Sequence, residues 1–201
     1  ITQYMLLAIL VNLFIETLAR FSTSPAAGLQ FMVHHPLVFL YNALIIFAFM
    51  SLSLLFRHRR FFLFLFGGVW VVLGVVNGII LANRMTPFTT NNLMELKDGL
   101  SLVSTYMSGF QVILLVAAAI SLVLLIVFMF LKLKKSPDPV KYKKVVPEIL
   151  LVLIIAAGAT FGCVKVGILD TYFPNLNYGY RDNGFSYCFM ATGFDKGVKR
   201  P

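Results

Sequence analysis

Twenty consecutive residues, Val112 to Leu131, hold a single polar side chain, Ser121, and run without a break into Lys132-Leu-Lys-Lys-Ser-Pro-Asp-Pro-Val-Lys-Tyr-Lys-Lys144. A helix rises about 1.5 Å per residue, so such a run matches the roughly 30 Å hydrocarbon layer of a bilayer. The run is expected to span a membrane. The thirteen residues after it carry six lysines against one acid, Asp138. Short loops dense in Lys and Arg stay on the cytoplasmic side, so this loop sets the orientation of its neighbours. Ser136-Pro-Asp-Pro139 turns the chain there, because proline lacks a donor and disfavours helical geometry in the residue before it.

The rest of the chain agrees with a membrane protein: 59% of its residues are hydrophobic and 12% are charged. The formal charge of +9 does not point to nucleic acid. Nine of the 17 basic residues fall in Arg57 to Arg60 and Lys132 to Lys144, which reads as topology, with anionic lipid as the partner. The pattern predicts an all-α polytopic membrane protein. Its five spans cover about residues 2–19, 37–56, 61–82, 110–131 and 147–166, with the N-terminus inside and the C-terminus outside. Inner loops then hold nine basic residues, while the two outer loops hold three, Arg20, Arg84 and Lys97. Pro147 and Glu148 suit the first turn of the fifth helix.

Within the spans, Asn12, Glu16 and Arg20 recur every fourth residue and share one helical face, so Glu16 can pair with Arg20. An ionisable group in a span is a functional candidate, although an interfacial ion pair that holds the first helix against its neighbours is the favoured reading. Gly74/Gly78 and Gly158/Gly162 are small-xxx-small pairs that let helices approach closely, within the chain or in a homo-oligomer. Adjacent His34 and His35 point in different directions and make a poor metal pair. Cys163 and Cys188 are not expected to form a disulfide.

Outside the spans, residues 83–109 form the most informative loop. Leu93, Leu96, Leu100, Val103 and Met107 mark one face of an amphipathic helix over residues 92–107, expected to lie along the outer surface, with Asn92 as its cap and Glu95 as the cap's partner. Arg84, at the membrane exit beside Asn83, can grip a phosphate in two-pronged fashion. An ordinary snorkelling arginine explains that position equally well. Residues 167–201 read as an extracellular linker, without clustered His, Asp, Glu and Cys at metal-ligand spacing and without a nucleophile and base pair. Residue 1 is Ile, so the numbering is expected to begin within a longer or trimmed chain.

Three features together resemble the membrane part of the lipoteichoic acid synthase family, the sulfatase-fold phosphoglycerol transferases of Gram-positive bacteria. The first is Asn83-Arg-Met-Thr-Pro-Phe-Thr-Thr-Asn-Asn-Leu93, with Asn92 at the place of the family's acidic residue. The second is Tyr178-Gly-Tyr-Arg-Asp-Asn-Gly-Phe-Ser-Tyr-Cys-Phe-Met-Ala-Thr-Gly-Phe-Asp-Lys-Gly-Val-Lys-Arg-Pro201. The five-span layout with an outward tail is the third. The resemblance implies a bacterial plasma-membrane anchor that presents lipid, phosphatidylglycerol in particular, to an extracellular catalytic domain beyond residue 201. It implies a divalent metal, manganese, and a threonine nucleophile in that domain, and no catalytic residue or cofactor in these 201. Arg84, Asn83 and Asn92 become candidates for contacting a lipid phosphate or docking that domain. A standalone transporter or channel, or a membrane scaffold or sensor, remains the alternative.

Overall fold

The computed structural model describes residues 2–83, 87–93, 95, 108–173 and 175–194. The described residues form helices α1 (Thr2–Arg20), α2 (Ala27–His34), α3 (Pro36–Ser51), α4 (Arg59–Asn83), α5 (Gly109–Lys132), α6 (Tyr142–Val166), α7 (Leu176–Asn183) and α8 (Phe185–Phe194). A 3-10 turn, Leu52–Leu55, extends α3. Five of these helices, α1, α3 with its extension, α4, α5 and α6, are long and apolar enough to cross a membrane. The chain therefore has the character of a multi-pass membrane protein.

Helix ends follow local chemistry. Pro36 opens α3, where its missing donor costs nothing. Gly167, at φ +82°, closes α6, and the Ile168 and Gly167 amides bond back to the Cys163 and Val164 carbonyls, the double bond pattern of a left-handed helix stop. The start of α6 departs from expectation. It begins at Tyr142, and Pro147 is its sixth residue rather than part of the first turn. The basic loop is correspondingly shorter, because a proline this close to a helix start removes one backbone bond without breaking the helix.

Spans α1, α3 and α4 form the centre. A Cβ on Gly74 would lie 2.7 Å from Ile15 Cγ1, and one on Gly78 would lie 3.3 Å from Leu18 Cβ, so this glycine pair seats α1 against α4 within the chain. Among the described residues, nothing lies within 4 Å of the Cβ positions of Gly158 and Gly162. α6 flanks α3, where the Tyr41 hydroxyl meets the Thr160 hydroxyl. α5 is the outlier: its Phe130 packs edge-on against Phe61, while side chains such as Ile113 and Leu124 remain exposed.

The tail is not an extended linker over its described part. α7 and α8 pack against each other, and α8 enters the bundle: Phe185 is fully buried and Phe189 nearly so, in the company of Ile15, Ile46 and Trp70, while Cys188 is buried with Ala19 and Tyr180. Trp70 lies thirteen residues before the end of α4, about 20 Å down that helix at its ordinary rise, and its ring meets Phe189 at 6.3 Å. Phe88 also stacks on Phe189, at 5.9 Å.

Candidate functional site

Sinking a helix start into an apolar bundle leaves its first amides without partners, and each unpaired amide is costly. Two spans supply the missing acceptors for α8. Glu16 Oε1, from α1, accepts the Phe185 amide at 2.8 Å, and Asn42 Oδ1, from α3, accepts the Tyr187 amide at 2.8 Å. A carboxylate at a helix start also favours the positive end of the helix dipole. Asn42 turns its Nδ2 to the Asn183 carbonyl at 2.8 Å, at the end of α7. Between the two helices stands Gly184, at φ +80°, where a Cβ would lie 2.3 Å from Asn42 Nδ2. Only glycine fits that corner.

Glu16 is fully buried and pairs with Arg20, whose Nη2 donates to the Tyr180 and Arg181 carbonyls at 3.3 and 2.8 Å. The Arg20 guanidinium also lies 3.8 Å from the centroid of the Phe31 ring. The pair therefore ties α1 to both tail helices. Asn183 completes the network by bonding the Asp170 amide and carboxylate at 2.8 and 2.9 Å, and the Tyr187 hydroxyl donates to the Asp170 carbonyl at 2.7 Å. Burial pushes the Cys188 thiol up to about 12, with the Glu16 carboxylate adding to it. Burial likewise pushes Tyr187 up to about 12, with Tyr41, Asp170 and Cys188 adding. Both groups stay protonated at neutral pH, so Tyr187 serves as a donor and Cys188 fills space.

Above this anchor opens a cleft of about 280 Å³, lined by Arg20, Thr23, Gln30, His34, His35 and Arg181 among others. His34 Nδ1 lies 2.7 Å from the Gln30 carbonyl, which can only accept, so Nδ1 is the donor of that bond. Arg20 spends its donors on Glu16 and the tail, whereas Arg181 is exposed at the rim. The cleft thus offers a cationic rim of donors suited to an anion.

The structure brings Glu16 and Arg20 together as their spacing predicts, but what they hold is the tail rather than a neighbouring span. Asn92 does not cap the outer helix. Helical structure starts at residue 90, and Asn92 Oδ1 reaches back to the Thr89 amide and hydroxyl at 3.1 and 3.0 Å, the reciprocal half of a capping box. That segment docks on α8 through Thr90 and Thr192, whose hydroxyls are 3.2 Å apart, while Asn77 Oδ1 accepts the Phe88 amide at 2.8 Å. Asn83 is the last residue of α4. Arg84 and residues 96–107 of the expected outer helix lie outside the described residues. Asn42, Asn183 and Gly184 were missed by sequence reasoning, although Asn183-Gly184 is a turn signal followed by an apolar run of helical length. Among the described residues, no three of His, Cys, Asp and Glu come together to hold a metal ion. Cys163 and Cys188 are free thiols. Compared with protein-family models, curated proteins and solved structures, the chain matches none.

Proposed function

We propose that this chain is the membrane-anchoring and lipid-presenting part of a lipoteichoic acid synthase-like transferase, which moves a phosphoglycerol-type head group from phosphatidylglycerol to a cell-envelope acceptor. The observation that carries the reading is the buried anchor of α8. A helix fixed at its start by Glu16 and Asn42, and at Phe189 by Trp70 and Phe88, supports a rigid rather than a floppy attachment for whatever follows it. Beside the anchor, the cleft with Arg181 at its rim suits a lipid phosphate, as does Arg84 at the exit of α4 in this reading. The divalent metal and the nucleophile belong to the catalytic domain implied by the resemblance.

The test uses the full-length protein in liposomes that contain phosphatidylglycerol, with manganese supplied, and follows the release of diacylglycerol. Release that depends on phosphatidylglycerol, and that falls about tenfold or more in Arg84→Ala with membrane insertion unchanged, is the expected result; losing one charged phosphate contact accounts for a change of that size. No release from any anionic glycerolipid overturns the transferase reading. Unchanged release in Arg84→Ala removes that residue from the lipid site.

A further inference from the structure

α2 sets the depth of the cleft above the tail. Gly28 seats this helix on α1, since a Cβ there would lie 2.7 Å from Thr17 Cα, and Ala27 and Phe31 are buried beside it. Leu29 and Val33, four residues apart on another side, are exposed and apolar, as are Phe21 before the helix and Leu37 after it. Gln30 and His34, again four apart, lie on the side between these two and line the cleft. A helix that follows a span and exposes an apolar stripe lies in the membrane interface, with that stripe toward the acyl chains. Its polar side, and with it the cleft, then sits at head-group depth.

The other wall of the cleft is α7, which is held by its backbone and by Asn183. Arg20 donates to the Tyr180 and Arg181 carbonyls, and Asn183 bonds to Asp170. Arg181 also lines the cleft, and among the described residues its guanidinium pairs with no carboxylate, whereas the charge of Arg20 is matched by Glu16. His35, at the corner between α2 and α3, lines the cleft too. We infer that the cleft holds the phosphate of a lipid with a net negative head group, gripped by Arg181 from the tail and by His35 and Gln30 from the bundle, so that occupancy clamps the tail onto the membrane domain. A guanidinium can hold two phosphate oxygens at once, and a ligand that binds only the docked tail stabilises docking by mass action. A zwitterionic head group brings its own cation toward Arg181 and gains less. The clamp rests on the lipid-presenting part of the reading above and adds its regulation: the presence of lipid is passed through α7 and α8 to whatever follows them.

Hydrogen exchange of residues 176–183 tests this in the 201-residue chain, reconstituted in phosphatidylcholine nanodiscs with or without phosphatidylglycerol. Phosphatidylglycerol is expected to slow exchange in α7 about tenfold, the size of a charge-assisted bond made only in the docked state. Arg181→Gln should remove the slowing and leave exchange in phosphatidylcholine unchanged, because Arg20 holds the Arg181 carbonyl and not its side chain. Arg181→Lys should keep part of it, since the charge remains and the two-pronged grip is lost. Equal exchange in the two lipids, or slowing that survives in Arg181→Gln, overturns the proposal. Equal slowing by soluble glycerol 3-phosphate in phosphatidylcholine also overturns it, because the site would then take a free phosphate. Slowed exchange in a full-length protein that releases no diacylglycerol would end the transferase reading and keep the clamp, whereas release without slowed exchange would end the clamp alone.

Discussion

Glu16 serves two partners from a position without solvent exposure, the Arg20 guanidinium beside it and the Phe185 amide, and through Arg20 it is linked to two carbonyls at the end of α7. Breaking a buried ion pair from one side leaves the other charge uncompensated, which typically costs about 3–5 kcal/mol. Glu16→Gln is therefore expected to destabilise by about that amount, and Arg20→Gln similarly. The double variant should cost less than the sum by about 1–3 kcal/mol, because no lone charge remains. Denaturant unfolding in detergent measures all three. A loss below about 0.5 kcal/mol for Glu16→Gln, the level of an ordinary surface change, would mean that the carboxylate is hydrated. The spacing of Asn12, Glu16 and Arg20 made the pair legible in the sequence. Its purpose was not legible, because a hydrogen bond to a backbone amide leaves no trace in the identity of the residue that donates it.

The spans were legible as elements because each must satisfy its own backbone in lipid, which demands long apolar runs that no other fold needs. The observed helix ends lie within two residues of those the sequence predicts except at α6, which starts five residues before Pro147. The tail helices were not legible for the converse reason. α7 is polar, and α8 at ten residues is too short to span, so its aromatics read as linker decoration. Burial of Phe185 among Ile15 and Ile46 makes α8 part of the core, and emptying such a site costs about 3–5 kcal/mol. Phe185→Ala should lose that much in thermal or denaturant unfolding. Tyr178→Ala, on the exposed side of α7, should change stability by no more than about 0.5 kcal/mol. Equal effects at the two positions would place the tail outside the bundle.

For the whole molecule the two ends differ in chemistry. At one end the Arg57 to Arg60 turn and the Lys132 to Lys144 loop meet through the bond from Ser136 to Arg57, and the start of α1 lies there too, since Ser53 Oγ reaches the Tyr4 hydroxyl at 3.5 Å. The other end gathers the loop after α1, the segment after α4 and both tail helices around the Arg20 cleft. The two segments that hold nine basic residues therefore meet on one face, which the sequence could give only as separate loops. Because cytoplasmic loops carry the excess of Lys and Arg, that face is expected inside and the cleft outside. Single cysteines test this against a background in which Cys163 and Cys188 are replaced by alanine. In intact cells a membrane-impermeant maleimide should label Thr23→Cys and Asp182→Cys, whereas Lys135→Cys should react only after the cells are opened. The reverse pattern would put the cleft in the cytoplasm, out of reach of an envelope acceptor, and would end the transferase reading while leaving the fold standing.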